Sequence, residues 1–240
     1  MFNRKNENQE STWLSLSDMM TVLMLLFLVL AIIVAWDTKK VNNEITGEIS
    51  EITEAEKQLC KDLKTKIFKK FSYQDLDIDC NPITVTFINP DYQFDKNRSE
   101  VKPEFKKALE RFIPIFITTI YDWKNVSLVD EVRVEGHTDS DFSSEKTKLQ
   151  GFLYNMKLSQ ERSRNVLDYS MNLGIFRSST ELNEWGYRKM TANGLSFSKR
   201  KFIKDSNMEV EDKKNSRRVE FKIRTKTQQL IYDWSYQLGN

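Results

Sequence analysis

Three patterns of apolar and polar positions divide this chain. From Met19 to Trp36 no charged residue interrupts an apolar run, and at about 1.5 Å of rise per residue such a helix covers most of a ~30 Å hydrocarbon core. Leu14 and Leu16 extend the run, so residues 13–36 read as a transmembrane helix. Beyond it, Ile45, Ile49, Ile52, Leu59 and Leu63 follow alternating four- and three-residue steps, with Glu56 filling the missing seam position. That spacing predicts a helix that either pairs with a second copy or lies on a neighbouring domain. Gly47 weakens it by about 1 kcal/mol relative to alanine.

From Pro82 the period changes to two. Ile83, Val85 and Phe87 alternate with Thr84, Thr86 and Ile88, and Asn89-Pro90-Asp91 ends the strand with turn chemistry. Pro103 opens a helix through Phe105, Ala108, Leu109, Phe112 and Ile113, which Pro114 is expected to kink or break. A strand follows over 129–135, with Val132 and Val134 on one face. An amphipathic helix is read over 158–173, capped by Ser159 and closed by Gly174, and a last strand over 218–224. Strands and helices in that order indicate an α/β sandwich with helices packed on one sheet. The resulting division is a tail over 1–12, the transmembrane helix over 13–36, a short helical connector over 37–80, the sandwich over 81–226 and a C-terminal tail or helix over 227–240.

Charge changes the picture little. The 240 residues carry 37 Lys and Arg against 35 Asp and Glu, a net +2 with both signs interspersed, so no basic face argues for nucleic acid. The apolar run is too long for a signal peptide and lacks a small-residue cleavage site, which makes it an uncleaved anchor of a single-pass protein. Arg4 and Lys5 before the span nearly balance Lys39 and Lys40 after it. Cys60 and Cys80 both lie beyond the span and suit a disulfide in an oxidising compartment, which places residues 41–240 outside the cytoplasm and the N-terminus inside. Closing a loop of about 20 residues contributes roughly 3 kcal/mol in the chain-entropy model. The alternatives are two free buried thiols, or a bond between chains.

Asp18 is the residue that most needs an explanation. An ionised carboxylate at mid-bilayer costs roughly 2.5 to 3.5 kcal/mol on insertion scales, so an acid there marks a functional position facing a partner or a wet cavity. The competing reading puts Asp18 at the headgroup boundary, ending the span. Thr21 lies one turn along on the same side, where it either bonds near Asp18 or bonds its own backbone.

Five ordered blocks, Val134-Glu135-Gly136-His137-Thr138-Asp139, Tyr154-Asn155 through Leu158-Ser159-Gln160-Glu161-Arg162, Gly186-Tyr187, Ala192-Asn193 and Arg217-Arg218-Val219-Glu220, resemble the OmpA-like peptidoglycan-binding domain over roughly residues 83–225. The resemblance implies that Asp139 and Arg162 clasp the diaminopimelate side chain of cell-wall peptide, with Asn155 supplementing them through its amide. The chemistry is suitable: the ligand ends in a carboxylate and an ammonium, which match a guanidinium fork and a carboxylate. The bland readings are a turn acid for Asp139 and a solvated helix residue for Arg162. His137, the one histidine, reads as structural, because no motif supplies a metal or nucleophile partner. Some positions depart from the family. No glycine follows Thr138-Asp139 closely, Asp141 to Gly151 read as a longer loop, Ser216 and Asp212-Lys213 replace usual residues, and Leu195 to Glu211 is a charged insertion.

With that domain in view, Trp13-Leu14-Ser15-Leu16-Ser17-Asp18-Met19-Met20-Thr21 and its apolar sequel resemble the membrane helix of MotB-type stator subunits, most closely the ZorB subunits of Zorya anti-phage defence motors. The resemblance implies a homodimer in the bacterial inner membrane, held within a multi-pass MotA/ZorA-like ring. Asp18 would carry the proton and peptidoglycan would hold the chain still. No cofactor, metal or catalytic residue is expected, and the chain is not read as an enzyme. A passive membrane-to-wall tether and a flagellar MotB-type subunit are the alternatives; a wall hydrolase and an ExbD-like energiser fit less well.

Overall fold

A computed structural model describes residues 4–72, 74–144, 146–205 and 208–227, with side chains from residue 18 onward except that of residue 48. The expected C-terminal tail or helix therefore lies, apart from residue 227, outside the described residues. The chain forms two compact units, Met1–Glu51 and Ile52–Asn240. Helix α1 (Arg4–Ile67) begins ahead of the predicted span and continues through Gly47. In the first unit every residue from Asp18 through Trp36 is exposed, including Leu23, Phe27 and Ile33. So continuous an apolar surface requires a non-aqueous neighbour.

The second unit is built on a five-stranded sheet of order β1-β2-β7-β3-β4. Its strands are β1 (Leu76–Cys80), β2 (Ile83–Phe87), β3 (Val129–His137), β4 (Met190–Gly194) and β7 (Arg218–Thr225). β3 and β4 are parallel, joined by a crossover containing helices α3 (Lys148–Met171), α4 (Gly174–Arg177) and α5 (Thr180–Lys189). The other neighbours in this sheet are antiparallel. Val85, Phe87, Val132, Val134, Val219 and Phe221 turn inward and are at most 1% exposed, as the two-residue period requires. Helix α2 (Pro103–Tyr121) packs Phe105, Phe112 and Phe116 onto this face. Ring centroids lie 5.0 Å apart for Phe87 and Phe105 and 5.0 Å for Phe112 and Phe221, within the range of favourable aromatic pairs.

Four expectations are corrected. Pro114 does not break α2, which runs on to Tyr121: the proline removes one backbone donor, while buried Phe112, Ile113, Phe116, Ile117 and Ile120 hold both halves to the core. The helix read over 158–173 starts at Lys148, capped by a box in which Thr147 and Gln150 exchange bonds. Gly151 obscures that start in the sequence; a Cβ there would meet the Phe142 ring at 2.4 Å, so a larger residue would force that ring to move. Ser159 is therefore no cap but a buried mid-helix residue, and Gly174 opens α4 instead of closing α3. The insertion contains a hairpin of its own, β5 (Phe202–Asp205) with β6 (Met208–Glu211).

The predicted connector over 37–80 is divided between the units. Leu59, Leu63 and Ile67 are fully buried in the core, and Leu76–Cys80 forms an edge strand of the sheet. The part of the seam formed by Leu59 and Leu63 thus packs on its own domain, and Glu56 interrupts it because its carboxylate accepts hydrogen bonds from Thr225 and Thr227. Cys60 and Cys80 are joined by a disulfide within the chain, with Cα atoms 5.7 Å apart. Replacing both by serine should lower the stability of the second unit by about 3 kcal/mol. Denaturant unfolding of oxidised wild-type and doubly substituted chains measures this, and equal midpoints would exclude a stabilising role.

Candidate functional site

β3 and β7 run antiparallel with His137 opposite Arg218, so the residues just past one strand meet those just before the other. Asp139 follows β3 and Arg217 precedes β7. Beneath them α3 presents Asn155, Leu158 and Arg162, which the three- and four-residue spacing puts on one face. A loop carrying Asp91, Phe94 and Asp95 closes the remaining side, and the whole encloses a cavity of about 260 Å³. The backbones approach closely here: a Cβ on Gly136 would sit 2.2 Å from the carbonyl oxygen of Ser159, so only glycine lets β3 lie on α3 at this point.

Both charges are desolvated, at 7% exposure for Asp139 and 5% for Arg162. Asp139 Oδ2 accepts a bond of 2.7 Å from Arg217 Nη1, and Oδ1 accepts from the Asp141 backbone N–H at 3.2 Å. Arg162 Nε donates to the Arg98 carbonyl at 2.9 Å and Nη2 to that of Asp95 at 3.3 Å. Its guanidinium carbon lies 4.9 Å from the Phe94 ring centroid, a cation–π distance. Burial, together with the nearby Arg217 charge and against the pull of Asp139, lowers the Arg162 pKa to about 10. Arg162 therefore stays protonated at neutral pH. The Asn155 amide donates to the Asp141 carbonyl at 3.1 Å; Thr138 lines the cavity, and its hydroxyl oxygen is buried without a hydrogen-bond partner among the described residues. The arrangement offers a cation and an anion, fixed in a small desolvated space, to a ligand carrying both charges.

The structure brings Asp139, Arg162 and Asn155 together. Asp18 lies in the other unit, as an exposed residue of α1. Arg217 belongs to the cavity too, although the sequence showed it only as half of an arginine pair; its role depends on the β3–β7 register. Glu211 is also unforeseen: from the inserted hairpin it accepts a 3.0 Å bond from the Ser140 N–H, and a second from the Ser140 hydroxyl. Lys213 pairs with Asp141 at 2.7 Å. The insertion thus holds the loop that carries Asp139.

Outside the cavity, on the sheet face away from the helices, His137 lies between two glutamates. Its Nε2 is 3.3 Å from Glu220 Oε2 and 3.8 Å from Glu135 Oε2. Desolvation lowers the His137 pKa despite both carboxylates. For Glu220 burial acts upward, but the adjacent His137 imidazole and the Arg218 guanidinium outweigh it and hold the carboxyl well below its ordinary range.

Comparison with known proteins adds five findings. The model of the "OmpA family" matches residues 93–216, just over half of the chain. The model described as "Membrane MotB of proton-channel complex MotA/MotB" matches residues 3–50. The Zorya protein ZorB of Escherichia coli (strain ATCC 8739 / Crooks) is 29% identical over 227 residues, covering 95% of this chain and 93% of its own. The Zorya protein ZorB of Escherichia coli O139:H28 is 27% identical over 219 residues, covering 87% and 81%. Among solved structures, a MotB-like protein from Desulfovibrio vulgaris shares the fold at a TM-score of 0.52 and 23% identity, over 74% of this chain and 98% of that one.

A pH dependence follows from His137 and Glu220. Both pKa values lie below those of the unfolded chain, so the unfolded state binds more protons and stability falls as pH falls. The histidine contribution begins near its ordinary value of about 6.5 and the glutamate contribution near about 4.5. Between pH 6.5 and the His137 pKa, the thermal midpoint should drop by about 4 °C per pH unit. The His137→Gln chain should be flat over that window; an equal slope in both chains would assign the effect to other groups.

Proposed function

The chain belongs to the OmpA family, and on that premise we propose that its second unit grips peptidoglycan while its apolar helix serves as the ion-carrying element of a membrane motor. The chain is then a single-pass protein of the bacterial inner membrane, with its N-terminus cytoplasmic and residues 41–240 periplasmic. The observation that carries the wall-binding half is the meeting of buried Asp139 and Arg162 in one cavity. A diaminopimelate side chain ends in a carboxylate and an ammonium. Arg162, held by two carbonyls and the Phe94 ring, keeps the rest of its fork for the carboxylate. Asp139 takes the ammonium, sharing its charge with Arg217. Asn155 adds its amide or keeps the Asp139 loop in place.

The membrane half rests on the exposed apolar stretch after Asp18, the match of residues 3–50 to the MotB model and the likeness to ZorB along nearly the whole chain. Two copies of the chain stand inside a multi-pass MotA/ZorA-like ring. Asp18 accepts a proton from one side and releases it to the other. Each proton crossing yields roughly 2.3 kcal/mol per 100 mV, comparable to the cost of an ionised acid in lipid. Neutral Asp18 can pass apolar ring surface and charged Asp18 cannot, which gives two docking states. With the second unit fixed to the wall, the ring turns. The likeness to ZorB favours anti-phage defence as its purpose.

Asp139→Ala and Arg162→Ala should each weaken co-sedimentation of the detergent-solubilised chain with purified cell wall by about tenfold or more, the value of a charge-assisted bond. Unchanged sedimentation would remove both residues from the site. Asp18→Asn should leave wall binding and membrane insertion intact and abolish phage protection in cells that also supply the ring partner. Full protection in that variant means a passive tether.

A further inference from the structure

Charged side chains converge a second time on the outward face of the sheet. The ladder places Glu135 opposite Glu220, and His137 is two residues beyond Glu135 on the same face. Their exposures are 4%, 7% and 1% for Glu135, Glu220 and His137. Neither ring nitrogen of His137 has a hydrogen-bond partner of good geometry among the described residues, although Nε2 points between the two carboxylates. In each glutamate the far oxygen is held. Arg133 Nη1 lies 3.3 Å from Glu135 Oε1, and Arg218 Nε donates to Glu220 Oε1 at 2.5 Å, where the Thr86 hydroxyl donates as well. That leaves both Oε2 atoms and the imidazole turned toward one another, with the donor atoms of the three residues within 4.8 Å.

This is the donor set of a first-row metal site, at a spacing somewhat wider than a bound ion would set. Bonds of about 2.0–2.2 Å at tetrahedral angles put adjacent donors about 3.3–3.6 Å apart, against 3.3 and 3.8 Å here. Arginines bonded to the outer carboxylate oxygens act as the orienting partners that such ligands carry. We propose that Glu135, His137 and Glu220 bind a divalent transition-metal ion, zinc foremost. The neighbouring cations narrow the choice. Arg133 and Arg218 offset the carboxylate charge, and Lys222 Nζ, 3.7 Å from Glu135 Oε2 and 29% exposed, must swing outward. Calcium and magnesium depend on oxygen number and anionic charge, whereas zinc gains from the imidazole bond. A cavity of about 450 Å³, lined by all three residues and Leu195 of the insertion, admits the ion and a water as fourth ligand.

The inference goes beyond the wall-binding and motor reading, and either can fail alone. The test uses the full-length chain without an affinity tag, stripped with EDTA in detergent and isotope-labelled at its one histidine. Zinc should displace the imidazole nitrogen resonances, and dialysed protein should retain one zinc per chain by elemental analysis. His137→Gln should lose that zinc, and Glu220→Gln should weaken binding by at least about tenfold. Wild-type resonances that stay in place at saturating zinc overturn the site, as does a His137→Gln chain that keeps its zinc. The resonance measurement needs no variant, so a misfolded substitution cannot decide the outcome.

Discussion

The antiparallel pairing of β3 with β7 is the constraint on which the second unit depends. Its register sets Gly136 against Val219, His137 against Arg218 and Glu135 against Glu220. On the inward face it fixes the Val134 and Phe221 floor that receives the aromatic side chains of α2. At the strand ends it brings Asp139 to Arg217, and on the outward face it gathers the histidine and two glutamates. A slip of one residue would turn every side chain of the slipped strand to the opposite face and separate these pairs, so core, cavity and charge cluster share a single geometric origin.

Burying charge is costly unless each ion finds partners, and the cavity meets that condition with few groups. Asp139 has a guanidinium and a backbone N–H; Arg162 has two carbonyls and a ring. Such bonds hold the side chains before any ligand arrives, so less conformational entropy is lost on binding. The inserted hairpin extends this order outward through Glu211 and Ser140, which gives a positioning role to a segment that departs from the family pattern.

Much of this was legible in the sequence where the signal is local. The alternation at Ile83, Val85 and Phe87 and the valines of β3 report burial on one face directly. What escaped was either short or long-range. β1 alternates correctly in Leu76-Asp77-Ile78-Asp79, but its brevity and aspartates hid it beside a long helical pattern. The start of α3 was obscured by Gly151, though the Thr147 and Gln150 box was present in the text of the chain. Arg217, Glu211 and the His137 cluster required register: their partners are remote in sequence, and no spacing rule links Glu220 to His137. Pro114 does not break α2 because a local rule met an apolar face wide enough to hold the helix across the lost bond.

The disulfide between Cys60 and Cys80 has a mechanical meaning. It closes a loop with a sequence separation of 20 residues and joins the end of α1 to the strand next to β2, which is bonded on both sides. Tension drawn along the backbone toward β2 need not unravel that loop, because the sulfur bridge offers a shorter covalent route. The crosslink acts as a strain relief, and hauling on the helix would stretch a bond before it peeled the outermost strand away.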